Sequence, residues 1–151
     1  MSDINWINVF DRIPPIATDV LFLNASSRVI TIGFISKCPV IGKDLGVLRV
    51  FESMPINYTD RIMFEATHWS CTPDKLDKSK WISIHDAPPK KEARVLFLDA
   101  YYTNEVFIGS ITDDHKCNVH GQFIVCRKLP IEEIYISEAT HYQLLPTIPN
   151  N

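Results

Sequence analysis

The feature that most constrains this chain is that it repeats itself. Asn5-Trp6-Ile7 returns as Lys80-Trp81-Ile82, and Val20-Leu21-Phe22-Leu23 returns unchanged as Val95-Leu96-Phe97-Leu98. Pro14-Pro15 matches Pro88-Pro89, shifted by one residue in this register, and Ala25 meets Ala100. After a one-residue insertion Ile32-Gly33 meets Ile108-Gly109, and Met54-Pro55-Ile56 meets Leu129-Pro130-Ile131. Glu65-Ala66-Thr67-His68-Trp69 then meets Glu138-Ala139-Thr140-His141-Tyr142, with Pro73 opposite Pro146. Chance similarity between two hairpins accounts for shared Val and Leu. It does not account for a shared Trp-Ile and a shared Ala-Thr-His, because Trp and His are rare. A repeat must be recognised before individual elements are assigned, since each copy is one structural unit. The alignment divides the chain into a first module, 1–73, a polar linker, 74–79, and a second module, 80–151. Modules this small bury little surface alone, so the two are expected to pack together about a pseudo-two-fold axis.

Within a module the residues predict antiparallel β structure. Val20 to Leu23 and Val95 to Leu98 are short, continuous apolar runs, as in strands buried on both faces. The prolines before each run exclude a helix there. Asn24 to Ser27 reads as a turn, with Arg28 to Ile35 as the returning strand; Ala100 to Asn104 and Glu105 to Ile111 are the second version. Gly33 and Gly109 fall inside these returning strands, which points to a bulge or to close approach of another group, such as a tryptophan ring. Third strands are predicted at Val47 to Phe51 and Gln122 to Cys126, and fourth strands at Met63 to Trp69 and Ile136 to Tyr142. Strict alternation would put Ala66 and His68 on one face, and Thr67 and Trp69 on the other. Short helical turns are expected after Pro55 and Pro130. The class is mainly β.

The order Trp-Ile, proline turn, Val-Leu-Phe-Leu, strand glycine and Thr-His-Trp running into prolines resembles the family catalogued as domain of unknown function 551. Its members are small proteins frequent in bacteriophages and prophages. Thr67-His68-Trp69 with Pro73, and Thr140-His141-Tyr142 with Pro146 and Pro149, match the place of its motif. The second copy departs in having Tyr142 for tryptophan, and both copies lack the glycine expected after the proline turn. The resemblance implies a phage or mobile-element origin; it implies no reaction.

Composition narrows the function classes. Among 151 residues, 46% are hydrophobic and 22% charged, which is globular rather than disordered. The net charge is −3, with 18 acidic against 15 basic residues. Lys90-Lys91 and Arg127-Lys128 are too short to make the basic face of a nucleic-acid binder, and the acidic residues are too sparse for a DNA mimic. No apolar stretch approaches the roughly twenty residues that span a bilayer, and Met1-Ser2-Asp3 lacks the pattern of a signal peptide. The expected setting is the host-cell cytoplasm, where the four cysteines, Cys38, Cys71, Cys117 and Cys126, are thiols.

Candidate chemistry is sparse. His68 and His141 are the only histidines equivalent between copies; each could be a base, a metal ligand or a hydrogen-bond donor. The structural alternative is that each imidazole fixes a strand end. Glu65 and Glu138 precede them on the opposite face by parity, which weakens an acid–base pair within one copy. Asp113, Asp114, His115, Cys117 and His120 form a loop cluster of metal-ligating types, but their spacing matches no zinc pattern, so a solvated loop is expected. Trp6 and Trp81 read as core anchors rather than ligand platforms. No phosphate-cradling glycine loop is present among the five glycines. No metal or cofactor is expected.

Three functions follow. The first is a small phage-type binding protein that inhibits or sequesters a host factor. The second is a small-molecule or nucleotide sponge with a pocket between the modules, lined by His68, Trp69, His141 and Tyr142, with Glu65 and Glu138 nearby. The third is a histidine-dependent hydrolase. Tandem copies present similar surfaces to a symmetric partner, and a homodimer is compatible with the sequence.

Overall fold

The computed structural model describes residues 5–35, 40–42, 47–53, 63–74, 77–90, 93–100, 105–111, 123–128 and 134–149. The expected helical turns after Pro55 and Pro130 and the Asp113–His120 cluster lie outside the described residues. The chain divides into two units. Unit 1 comprises Met1–Thr72 together with Pro146–Asn151, and unit 2 comprises Pro73–Leu145. The segment expected to be a linker therefore groups with unit 2, and the last residues of the second repeat group with unit 1.

Unit 1 is built from β1 (Ile7–Asn8), β2 (Val20–Asn24), β3 (Val29–Phe34), β4 (Val40–Gly42), β5 (Val47–Glu52), β6 (Met63–Ala66) and β7 (His68–Cys71). The sheet order is β1-β7-β2-β3-β5-β4, with β6 also paired to β5. Every pairing between these strands is antiparallel. Strand β2 lies between β3 and β7, and Val20, Leu21, Phe22 and Leu23 are all essentially without solvent exposure. That explains a continuous apolar run where a half-exposed strand would alternate. Val20 and Phe22 join Val9, Ile35, Leu48, Val50, Ala66 and Trp69 in one core cluster. On the other side of β2 and β3, Leu21, Leu23, Ile30 and Ile32 are buried as well.

Unit 2 repeats this plan with β8 (Ile82–Ser83), β9 (Val95–Leu98), β10 (Val106–Gly109), β11 (Phe123–Lys128), β12 (Ile134–Ala139) and β13 (His141–Leu144). The order β10-β9-β13-β8 reproduces β3-β2-β7-β1, and the β11-β12 pair reproduces β5-β6. The registers coincide residue by residue. Phe22 faces Trp69 as Phe97 faces Tyr142, and Val20 faces Gly33 as Val95 faces Gly109. Leu48 faces Ala66 as Phe123 faces Ala139. Val95, Phe97, Phe107, Ile111, Val125, Ala139 and Tyr142 form the matching core, with Ile84. Among the described residues the structure is mainly β, without an α-helix; a short 3-10 turn covers Lys78–Lys80. Asp77 stands at its start, and the Ser79 hydroxyl, the Ser79 amide and the Lys80 ammonium hold its carboxyl below the usual carboxylate range, the hydroxyl most.

Three details differ from the sequence expectation. Pro14 and Pro89 are the buried prolines of each copy, so the proline turns align without the one-residue shift. The close approach at Gly33 is made by backbone, not by a tryptophan ring: a Cβ there would sit 2.2 Å from the Phe51 carbonyl oxygen of β5. Finally, the fourth strand is not continuous. It breaks at Thr67 into β6 and β7, and at Thr140 into β12 and β13. Alternation fails across that break, and Ala66 and Trp69 enter the same core.

Candidate functional site

The break is the polar feature that both copies share, and threonine makes it. The Thr67 amide donates to the Leu23 carbonyl at 2.8 Å, and its own carbonyl accepts the Val9 amide at 3.0 Å. Its Oγ1 accepts the Ala25 amide at 3.0 Å and lies 3.1 Å from the Leu23 carbonyl and 2.8 Å from His68 Nδ1. Thr140 repeats each contact. Its amide donates to Leu98 at 2.9 Å and its carbonyl accepts from Ile84 at 3.1 Å. Its Oγ1 accepts from Ala100 at 3.0 Å and lies 2.7 Å from His141 Nδ1. A single residue thus ties the start of the module, through its carbonyl, to the β2 or β9 turn and the last strand, through its hydroxyl. It also lets one stretch leave β5 for a place between β1 and β2, so that the path β7-β2-β3-β5-β6 returns on itself through Thr67.

The hydroxyl carries one proton. When it points to Nδ1, the neutral imidazole holds its proton on Nε2. When Nδ1 is protonated it donates to Oγ1, and the hydroxyl turns to the Leu23 carbonyl. In both arrangements Nδ1 of His68 and of His141 is engaged with its threonine. His68 and His141 are both half-buried, and His68 pairs across the sheet with Asn8 and Leu23.

The remaining candidates stand in different surroundings within their own units. Glu65 is exposed on β6, faces Arg49 at 4.0 Å, and offers its carbonyl to Asn24 Nδ2 at 2.8 Å. Glu138 is exposed on β12. Trp69 and Tyr142 sit in the cores of their own units, 3% and 6% exposed. No group of three metal-ligating side chains occurs among the described residues, and Cys71 is an exposed free thiol. The sequence reading named the histidines and passed over the threonines. The signal was present, since Thr67 and Thr140 stand in the same shared motif.

A second feature lies in unit 1. The indole N–H of Trp69 donates to the Arg12 carbonyl at 2.7 Å, and the Arg12 guanidinium lies 5.3 Å from the centre of its ring. This fixes the segment between β1 and β2 from beneath. The segment is tied at its start by the Asp11 and Arg12 amides on the Asn8 carbonyl and by the Phe10 amide on Asn8 Oδ1. At its end, Ile16 bridges Ile35 and the Ala17 amide donates to the Ile35 carbonyl. On this held segment Phe10, Ile13 and Ile16 stand exposed at 45%, 47% and 52%. The second copy keeps the turn, with the Asp86 and Ala87 amides on the Ser83 carbonyl, but carries His85 and Pro88 at the positions of Phe10 and Ile13.

Among the described residues, no helix is long and apolar enough to cross a membrane. No family model, curated protein or solved structure matches the chain.

Proposed function

We propose that this chain is a small phage- or prophage-type binding protein that acts by occupying a host protein, and that the Phe10–Ile16 segment of unit 1 is the surface it uses. The observation that carries this reading is the held apolar segment. Three large apolar side chains stand exposed within one seven-residue segment, and a segment already fixed by Trp69, Asn8 and Ile35 loses little entropy on docking. The buried Trp69 holds the segment through the Arg12 carbonyl, so the exposed side chains stand on a fixed support. The shared Thr-His networks fit the same reading, because they serve the fold of both modules alike. The resemblance to a family frequent in phages supports a host protein as partner.

The test is retention of host proteins on the immobilised chain, compared with a variant carrying Phe10→Ser, Ile13→Ser and Ile16→Ser. All three side chains are exposed, so the variant is expected to keep its thermal transition. Proteins held by the parent and lost by the folded variant are the expected result. The same proteins held equally by both would remove the segment from the function.

A further inference from the structure

The two repeat tryptophans are satisfied in the same way by segments at equivalent positions. Trp81 Nε1 donates to the carbonyl of Asp74 at 2.9 Å, and Trp6 Nε1 donates to the carbonyl of Thr147 at 3.0 Å. Asp74 follows Pro73 and Thr147 follows Pro146, the prolines that close each copy of the repeat. Each unit therefore takes the tail of the other repeat: Pro73 and Asp74 belong to unit 2, and Pro146–Asn151 to unit 1. The two arrangements differ in one respect. Asp74 and Trp81 are 7 residues apart, so that tail cannot leave its tryptophan by more than a short loop. Thr147 and Trp6 are 141 residues apart, so no short loop holds that tail to its tryptophan.

We propose that the Trp6 face of unit 1 is a docking site for an extended proline-containing segment, filled in the folded chain by its own Pro146–Pro149, and that a second copy's tail takes the same place. Two chains are then joined by reciprocal exchange of this segment. The tail suits this role. Pro146 and Pro149 have fixed φ, and Leu145 and Ile148, which precede them, favour extended backbone. Little conformational freedom is lost when such a segment docks. Pro146 is buried and Ile148 partly buried, while Thr147 and Pro149 are exposed, the alternation of an extended strand. Trp6 is itself only partly buried, so the site opens when the tail leaves. Exchange of an identical segment between copies breaks and remakes the same contacts, which makes it a low-cost route to a dimer.

The experiment has two arms. In the first, a fluorescent peptide of sequence 144–151 is titrated into the full chain carrying Pro146→Ser and Ile148→Ser, folding being checked by its thermal transition. Saturable binding is expected, with binding to the unaltered chain at least about fivefold weaker because its own tail competes. Adding Trp6→Phe, which keeps an aromatic ring but removes the donor, is expected to weaken binding about fivefold, the worth of one hydrogen bond. No binding, or binding that ignores Trp6→Phe, overturns the docking site. In the second, two differently tagged copies of the unaltered chain are mixed at high concentration and followed by light scattering and co-retention. Mixed dimers that disappear in a chain ending at Leu145 are expected. A monomer at every concentration, or dimers that persist without the tail, overturns the exchange.

Discussion

At the scale of single residues, this protein depends on positions where a small change in side chain alters backbone contacts. Gly33 is the sharpest. The Phe51 carbonyl occupies the space of its absent Cβ, and neither partner is a flexible side-chain end that can move aside. Gly33→Ala is expected to destabilise the chain by about 2–3 kcal/mol, the range for forcing volume into a packed site, as measured by denaturant unfolding; an unchanged midpoint would show that β3 and β5 are not in this register. The glycine itself was legible as a strand glycine repeated in both copies. Its neighbour was not, because the approach is made by a backbone carbonyl from a strand distant in sequence, and no side-chain pattern records where a carbonyl will lie. Thr67 illustrates the same limit: its identity was visible in the repeated motif, but its role depends on three backbone segments that only the fold brings together.

At the scale of elements, the hairpins were readable and the broken strand was not. Continuous apolar runs and an Asn-Ala-Ser-Ser turn located β2 and β3 because those signals are local. Asn24 does what its type suggests, with Oδ1 accepting the Ser26 and Ser27 amides at 3.0 Å each. The turn closes one residue later than expected: the Arg28 amide donates to the Asn24 carbonyl at 2.8 Å, and Arg28 takes φ 58° before β3 begins at Val29. A left-handed conformation costs an L-residue about 1–2 kcal/mol, part of which glycine returns as lost entropy. Arg28→Gly is therefore expected to stabilise the chain by about 0.5–1 kcal/mol in thermal unfolding, and a loss of stability would contradict the turn geometry. The Met63–Trp69 stretch, by contrast, gives no local sign of interruption. Alternating residues suit one strand, and the break arises because Thr67 finds better hydrogen-bonding partners in Leu23, Ala25 and Val9 than a straight ladder would supply.

At the scale of the whole molecule, the repeat organises everything else. It was read from rare residues, and it recurs in strand order, pairing register and hydrogen bonds. The differences between the copies then locate what is specific to one of them. Phe10, Ile13 and Ile16 are replaced in the second copy by His85, Pro88 and Lys91, and the two tails stand 141 and 7 residues from the tryptophans they meet. The tail exchange was not legible, because a carbonyl acceptor at Thr147 or Asp74 leaves no trace in residue type. The two units are copies of one module, each held at the same place by its own threonine. The direct measurement is equilibrium unfolding of Thr67→Val and Thr140→Val, which remove a hydroxyl at nearly constant volume and leave the Ala25 or Ala100 amide and a histidine nitrogen without that partner. Each is expected to cost about 1–3 kcal/mol, by similar amounts in the two copies. A variant with parental stability, or a large loss in one copy with none in the other, would contradict it.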